Sequence, residues 1–328
     1  MKLIKVIVLA MLCLNAGVIQ ATAWQSTTSL PSLTKHYIKK STLEIIEVLE
    51  SDYVFPEKAQ ILAQQLQSKL KANEFNQLDN FTQFIHELGI FIRRVSGDGY
   101  LDIIPTQPQL ELGYSQVRKA QKNIEGFGFE TVEILSGNIG YLKLNHFYQS
   151  TEAQLKATQA FDYLSATDAV IIDLRDVAGE SISLAHYMMS FFVEPNTILA
   201  HVLYDRQTKT EVLTSAENLS IGRFKRDFPV YILTSAFVSG TGEFLSYTLK
   251  HLDEASIIGE KTMGVAYLSR KHKIDEFISI NMPIAIPIHP VTKTNWEQEG
   301  VVPDFAVDAE LSFDVAYKLA KEHLNILY

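Results

Sequence analysis

The feature that most constrains the fold is an alternation of short apolar runs with helix-like patterns in the second half of the chain. Residues 169–174 and 229–234 are such runs, and each leads directly into polar residues. A continuous apolar run of this length is typical of a strand buried on both faces. Amphipathic helix patterns follow, and residues 256–259 form a third strand pattern. This order predicts a layered α/β core.

Three amphipathic helix patterns precede this core and predict an N-terminal helical bundle. Their apolar residues recur at the 3.6-residue spacing of one helix face. The three stripes comprise Leu43, Ile46 and Leu49; Ala59, Leu62, Leu66 and Leu70; and Phe81, Phe84, Ile85, Leu88, Phe91, Ile92 and Val95. Residues 105–137 contain several Pro and Gly residues, which is typical of a connector. We therefore predict a helical domain (24–96), a connector (97–137) and an α/β core (138–328).

The first 23 residues have the pattern of a secretory signal peptide (1–23). Lys2 and Lys5 precede an unbroken apolar run, and Ala21 and Ala23 fit a small-x-small cleavage site. The alternative is a buried N-terminal strand or helix. No segment after residue 25 approaches the ~20 apolar residues that a membrane span needs. We expect a secreted protein, with the bacterial periplasm as its location.

Charge and cysteine content exclude several classes of function. The formal net charge is −9, from 29 basic and 38 acidic residues, which disfavours binding to nucleic acid or anionic lipid. Removal of the signal would also remove Cys13, the single cysteine of the sequence, so no disulfide or thiolate site is expected. None of the nine histidines has metal-ligand spacing. We predict no metal and no cofactor.

Two junctions between a predicted strand and the helix after it carry the polar residues of the core. One begins at Asp173 and ends at Gly179, and the other begins at Leu233 and ends at Glu243. In α/β sheets, ligands bind where strands end and helices begin, because exposed helix N-termini collect there. Each junction is therefore expected to aim backbone N–H groups at an anion or an oxyanion.

Five segments follow one another in an order and approximate spacing that resemble the tail-specific (C-terminal processing) serine peptidases. They are Asn138-Ile-Gly-Tyr-Leu-Lys-Leu with Phe147, Ile172-Asp-Leu-Arg with Gly179, Leu233-Thr-Ser with Glu243, Ile258-Gly-Glu-Lys-Thr-Met-Gly264 and Gly300-Val-Val-Pro-Asp304. Residues 53–56 and 98–100 resemble the subgroup that includes interphotoreceptor retinoid-binding protein. About 40 residues separate Asp98 from Asn138, fewer than the PDZ domain of typical members needs. The resemblance implies a short form without that insert and a crotonase-like (ClpP/crotonase-type) core.

The resemblance also implies where the catalytic groups of an active member would lie. The family's serine nucleophile stands three residues before the glutamate of the second junction, and this nucleophile slot holds Gly240. The base slot of the lysine-dependent members holds Val265, and the histidine of another branch would lie in the turn at Tyr100. Gly179 matches the family's oxyanion donor, and Gly240 and Thr241 are further expected donors. Tyrosine, with an unperturbed pKa near ~10, is a poor base at neutral pH. We therefore expect impaired catalysis.

Several of these residues admit two interpretations. Ser239 either caps the helix that follows it or acts as a nucleophile displaced by one residue. Lys261 is either a solvated loop residue or a substitute base. Asp173 and Arg175 form either a structural or a functional ion pair, and we group both with Glu243 as structural residues.

Two main hypotheses for function follow. The first is a degenerate family member, a pseudoenzyme, that binds peptide or protein C-termini or a small apolar ligand in the former catalytic cleft. The second is an active serine-type peptidase that uses Ser239 with an unorthodox base, such as Lys261 or a histidine. A purely structural periplasmic protein is a third possibility.

Overall fold

The computed structural model describes residues 30–106, 126–179, 182–225 and 227–327. Residues 32–328 form one compact unit. The helices are α1 (Lys35–Asp52), α2 (Pro56–Lys71), α3 (Phe81–Ser96), α4 (Thr151–Leu164), α5 (Ile182–Met189), α6 (Thr241–His251) and α7 (Ser312–Leu327). The strands are β1 (Asp102–Pro105), β2 (Phe129–Leu135), β3 (Ile139–Leu144), β4 (His146–Phe147), β5 (Ala169–Asp173), β6 (Ala178–Gly179), β7 (Ile198–Tyr204), β8 (Lys209–Thr214), β9 (Val230–Thr234), β10 (Ser256–Gly259), β11 (Leu268–Lys273), β12 (Ile278–Ile288) and β13 (Phe305–Ala306). The expected signal peptide (1–23) lies outside the described residues, as does much of the expected connector.

Helices form over all three amphipathic patterns of the N-terminal region. Local signals fix the ends of α3: the Asn80 side chain accepts the Gln83 amide, and Gly97 ends the helix with φ +62°. The helices pack on one another and also on β12, whose Ile278 and Ile280 belong to the same hydrophobic cluster. The N-terminal helices thus share their core with a strand nearly 200 residues later in the chain. Their independence as a domain (24–96) stays a prediction.

A six-stranded sheet forms the centre of the α/β layers, in the order β13-β10-β9-β5-β3-β2. The strands from β13 to β3 run parallel, and β2 is antiparallel to β3. Every residue of β5 and β9 is buried, as the apolar runs predict. Helices α4, α5 and α6 contribute to the hydrophobic cluster on one face, and α7 packs on the other through Ala316 and Ala320. The mixed α/β class is confirmed.

A second, antiparallel sheet stands beside these layers and was not expected from the sequence. It has the order β1-β12-β7-β8, and β11 pairs with the opposite edge of β12. Strand β12 is the long member, with 11 residues. This sheet links the N-terminal helices to the parallel core and forms one wall of the cavity described below.

Within the part of the chain that the structure describes, no helix is long and apolar enough to cross a bilayer.

Candidate functional site

A cavity of about 820 Å³ opens at the start of α6, where the parallel core meets the antiparallel sheet. Strands β7, β8, β11 and β12 contribute four apolar and three polar residues to its lining, namely Val202, Leu213, Leu268, Pro287, Ser269, Lys271 and Asn281. Residues around the start of α6 and the 265 turn complete the lining, among them Tyr100, Ser239, Gly240, Thr241, Val265 and Trp296. The cavity therefore lies at the carboxyl end of β9, where an α/β fold is expected to bind ligands.

Gly240 connects β9 to α6 in a conformation that side chains rarely adopt. Its φ is +58° and its ψ −111°, as in the sharp strand-to-helix turns that expose a nucleophile at the top of an α/β sheet. A Cβ added at Gly240 would meet no atom within 4 Å. The predicted nucleophile slot therefore has the backbone geometry of such a turn and space for a side chain, but it holds none.

Ser239 lines the same cavity and is half-buried. It does not cap α6: the N-cap residue is Gly240, which has no capping side chain. The capping interpretation of Ser239 is therefore wrong. Within the described residues its hydroxyl makes no hydrogen bond to a lysine, histidine or carboxylate. Ser239 thus lines the cavity without a hydrogen-bonded base among the residues that the structure describes.

Glu243 supplies the hydrogen bonds that hold this turn together. Its buried carboxylate accepts the amides of Gly240 (2.9 Å), Gly264 (2.6 Å) and Val265 (2.8 Å) and the Thr262 hydroxyl (2.5 Å). Burial raises the pKa of Glu243, and the four hydrogen bonds oppose that rise. Because all its acceptor positions are used, Glu243 joins the start of α6 to the 262–265 turn and is not available as a catalytic base.

Neither position expected for a general base carries a working one. Val265 lines the cavity with an aliphatic side chain. The Tyr100 hydroxyl also lies there and donates to the Gly264 carbonyl (3.3 Å). Burial, followed by the negative charges of Glu297 and Glu243, raises the pKa of Tyr100 far above its ordinary value, so the phenol stays protonated. Lys261 is exposed and is not among the residues that line the cavity.

The expected oxyanion donors are partly brought together. Thr241 begins α6 and lines the cavity, and its amide has no backbone acceptor within the described residues. Gly179 lies in β6, which pairs with β4 at Phe147 and runs close to α6. The neighbouring Glu180 lies outside the described residues. The structure thus brings the strand that contains Gly179 into contact with the helix that Thr241 begins.

Asp173 and Arg175 form a buried, bidentate ion pair at the end of β5. The Arg175 Nε donates to Asp173 Oδ1 (2.9 Å) and its Nη2 to Oδ2 (2.6 Å), while Tyr141 donates to Oδ2 (2.7 Å). Burial favours a higher pKa for Asp173, but the hydrogen bonds from Arg175 and Tyr141 outweigh it and lower the pKa. A further bond from Arg175 to the Ala309 carbonyl (2.8 Å) ties β5 to the start of α7. These contacts have the geometry of a structural pair.

Trp296, which lines the cavity beside Val265, and its neighbour Glu297 were not expected from the sequence as site residues. The Trp296 indole N–H donates to the Val265 carbonyl (3.0 Å), and its ring stacks on Phe244 at 5.9 Å. Glu297 accepts the Ala266 amide (2.9 Å), and burial raises its pKa. Residues 296 and 297 follow a loop without strong periodicity, so the only available signal was the rarity of tryptophan.

No group of three or more metal-ligating side chains occurs in the part of the chain that the structure describes. Of His146 and His186, the two histidines that the sequence places nearest the cleft, His186 donates through Nε2 to the Thr214 carbonyl (2.5 Å).

Comparison with known proteins gives a consistent result. A profile described as Peptidase family S41 matches residues 138–307, more than half of the chain. The relatives include a "Probable CtpA-like serine protease" of Staphylococcus epidermidis, 28% identical over 39% of this chain and 25% of that protein. A "Carboxyl-terminal-processing protease" of Synechocystis sp. is 25% identical over 57% of this chain and 44% of that protein. The chain therefore spans a quarter to under half of the length of these curated relatives.

Solved structures resemble the fold over most of the chain. A photosystem II D1 C-terminal processing protease superposes with a TM-score of 0.61 and 14% identity, covering 88% of this chain and 97% of that one. A lipoprotein from Streptococcus agalactiae gives 0.60 and 15%, covering 90% and 98%. At these identities the likeness concerns the fold alone.

Proposed function

The chain belongs to peptidase family S41, and on that basis we propose that it is a member that binds a peptide C-terminus without cleaving the peptide. The observation that carries this proposal is the turn at Gly240, which has the backbone geometry and the space for a nucleophile but no side chain. We further propose the crotonase-like arrangement for its core, a short form without a PDZ insert, a place near the retinoid-binding-protein subgroup, and export to the periplasm. These four further proposals are supported by the sequence patterns described above.

The missing groups have a large effect on rate. A serine hydrolase that lacks its nucleophile or base retains only ~10³–10⁴-fold acceleration, supplied by binding and the oxyanion site. For peptide-bond hydrolysis this is negligible turnover. Val265 cannot accept a proton, and the Tyr100 phenol is engaged with the Gly264 carbonyl. Loss of both nucleophile and base leaves binding as the role that the cleft supports.

The cavity has the chemistry expected of a site for a peptide terminus. Its walls are largely apolar and enclose about 820 Å³, enough to hold one or two side chains. The Thr241 amide stands at the helix N-terminus, where the helix dipole favours a carboxylate. We expect the carboxylate at Thr241 and the last apolar side chain against Val265 and Trp296.

Binding is tested with short peptides that end in an apolar residue, each prepared with a free and with an amidated C-terminus. Calorimetry should detect binding of the free acid at millimolar concentration or better and at least tenfold weaker binding of the amide. Equal binding of both forms would favour the small apolar ligand instead. Absence of any binding would contradict the proposal and favour a purely structural protein.

Gly240→Trp should abolish this binding, because its side chain would occupy the cavity. Gly137→Trp is the matched control: Gly137 also has positive φ (+87°), and a Cβ there meets only Ile139 at 3.8 Å. Both substitutions carry the strain of positive φ, but Gly137 is not among the residues that line the cavity. Unchanged binding in Gly240→Trp would show that the ligand lies elsewhere.

The second candidate is an active serine peptidase, and the position of Ser239 in the cavity wall favours it. A fluorophosphonate probe discriminates the two. We expect no labelling of the natural chain; strong labelling that is lost in Ser239→Ala would overturn the proposal. Gly240→Ser combined with Val265→Lys restores a hydroxyl and an amine at the two slots and should gain labelling, whereas Gly137→Ser with Val265→Lys should not.

A further inference from the structure

The loop that leaves β12 is organised around a buried histidine. His289 is 2% exposed, and its Nδ1 accepts the amides of Val291 (3.2 Å) and Thr292 (3.4 Å). The His289 amide donates to the Thr294 carbonyl (2.8 Å), and the Lys293 amide donates to the His289 carbonyl (3.0 Å). The imidazole is therefore a hydrogen-bond acceptor at the centre of what we term the 289–296 loop.

The far end of this loop forms part of the cavity wall. Trp296 is 3% exposed, and its indole N–H is bonded to the Val265 carbonyl. Asn295 donates to the Pro287 carbonyl (2.9 Å). Trp296, Val265 and Pro287 all line the cavity. The conformation of the loop thus fixes the position of the aromatic wall.

The surroundings of His289 oppose a positive charge on its ring. Helix α6 packs against the ring through Tyr247 (5.6 Å between ring centres) and His251 (5.7 Å). Burial, then the charges of His251 and Lys293, lower the pKa of His289 to about 4, and the Thr248 carbonyl only partly offsets them. The Nε2 atom is buried without a hydrogen bond of normal geometry. The neutral ring therefore carries its proton on Nε2 and keeps Nδ1 free to accept.

Protonation would convert Nδ1 from an acceptor into a donor. The new N–H would then face two backbone N–H groups, and both hydrogen bonds that close the loop would be lost. The Tyr247 hydroxyl, which donates to Thr292 Oγ1 (3.0 Å), would lose its partner when the loop moves. An open loop would expose the imidazolium to water and relieve both conflicts.

We propose that His289 is a positioning residue that holds the Trp296 wall of the cavity in place and releases it when the imidazole is protonated. The proposal assigns an acid-sensitive element to the cleft. It relies on the proposed function only in regarding the cleft as a ligand site, and its test does not involve a ligand.

The size of the effect follows from linkage between protonation and loop opening. The ring titrates near 4 in the closed loop and near its ordinary value of 6.5 in an open, hydrated loop. The equilibrium constant for opening should therefore rise about thirtyfold between pH 7.5 and pH 5.

Hydrogen exchange followed by NMR measures this constant directly. We expect the protection of the Val291 and Thr292 amides and of the Trp296 indole N–H to fall together by about thirtyfold between pH 7.5 and pH 5, after correction for intrinsic exchange. The amide of Ile172 in the buried strand β5 is the internal control and should keep its protection. Unchanged protection in the loop, or an equal fall at Ile172, would overturn the proposal.

Two variants assign the effect to His289. His289→Asn places an oxygen acceptor where Nδ1 stood, at the same number of bonds from Cα, but does not titrate in this range; its loop protection should be independent of pH. His251→Gln removes the neighbouring imidazole and should keep the pH dependence. A pH dependence that persists in His289→Asn, or one that disappears in His251→Gln, would contradict the assignment.

Discussion

The junctions at the ends of β5 and β9 are neighbours in the parallel sheet, yet they satisfy a buried carboxylate in different ways. At the end of β5, Asp173 is neutralised by the guanidinium of Arg175. At the end of β9, Glu243 has no ion-pair partner within the described residues and is held by three amides and a hydroxyl. The pKa of Asp173 is lowered and that of Glu243 is raised.

This difference shows how a cleft can keep its shape without a side chain at position 240. The β5 junction is closed and consists of a structural pair that joins β5 to the start of α7. The β9 junction is open, and Glu243 keeps the Gly240 turn and the Val265 turn together without help from a side chain at position 240. Its geometry therefore depends mainly on backbone donors that bind Glu243.

The largest expected effect is on the β5 junction. Asp173→Ala leaves the partly buried guanidinium of Arg175 and the Tyr141 hydroxyl without a partner, so the free energy of unfolding should fall by about 3–5 kcal/mol. Urea denaturation measures this change. Glu322→Ala, which breaks the exposed pair with Lys318, should cost less than about 1 kcal/mol. Equal losses in the two variants would mean that the Asp173–Arg175 pair is not structural.

A smaller loss is expected at the β9 junction. Glu243→Gln keeps the size of the side chain but places an NH₂ group among donors, so the free energy of unfolding should fall by about 1–3 kcal/mol. Binding of the peptide acid should weaken as well, because the Gly240 and Val265 turns lose their common acceptor. Glu299→Gln, at an exposed position, is the control. A stable Glu243→Gln variant with unchanged binding would show that the carboxylate does not organise the cleft.

Two glycines of the β9 junction distinguish crowding from backbone strain. A Cβ at Gly242 would meet Val177 Cγ1 and Val238 Cγ1 at 2.8 Å, so Gly242→Ala should cost about 1–3 kcal/mol through overpacking. Gly240→Ala has open space and should cost about 1 kcal/mol through its positive φ. Thermal unfolding measures the loss of stability in each variant, and we expect the larger loss in Gly242→Ala. A larger loss in Gly240→Ala would contradict the close packing inferred at Gly242.

The finest test uses the opposite pKa shifts. Because the pKa of Asp173 is lowered, its stabilising contribution is complete at neutral pH and is lost as the pH falls below about 4. Because the pKa of Glu243 is raised, its contribution instead decreases as the pH rises from about 4.5 through the raised pKa. In a plot of the free energy of unfolding against pH, Asp173→Asn should reduce the pH dependence below about pH 4. Glu243→Gln should reduce it above about pH 4.5. Identical curves for the two variants would refute the contrast.

The local signals for the parallel core were strong and sufficient. The apolar runs that became β5 and β9 are buried throughout, because both faces of these strands are covered. Helix α4 begins directly after Ser150, whose side chain caps it, and ends at Leu164. The family's nucleophile slot, three residues before Glu243, is occupied by Gly240, and Gly240 does lie at the start of α6.

The antiparallel sheet and the cavity wall could not be predicted in the same way. Strand β12 has one part in the hydrophobic cluster of the N-terminal helices and another beside the cavity, where Pro287 lies. Its apolar pattern therefore does not identify its partners. Ser239 shows the same limit: its sequence position suits a helix cap, and only the positive φ of Gly240 moved the cap by one residue.

The sequence by itself determined the α/β class, the alternation of strands and helices along the core and the absence of a serine at position 240, because these depend on residue identity and on periodicity along the chain. The tertiary structure alone decided that all acceptor positions of Glu243 are used, that Lys261 is not among the residues that line the cavity, and that the loop organised by His289 ends at Trp296 in the cavity wall. Those facts depend on contacts between segments far apart in the chain, and no local pattern encodes such distances.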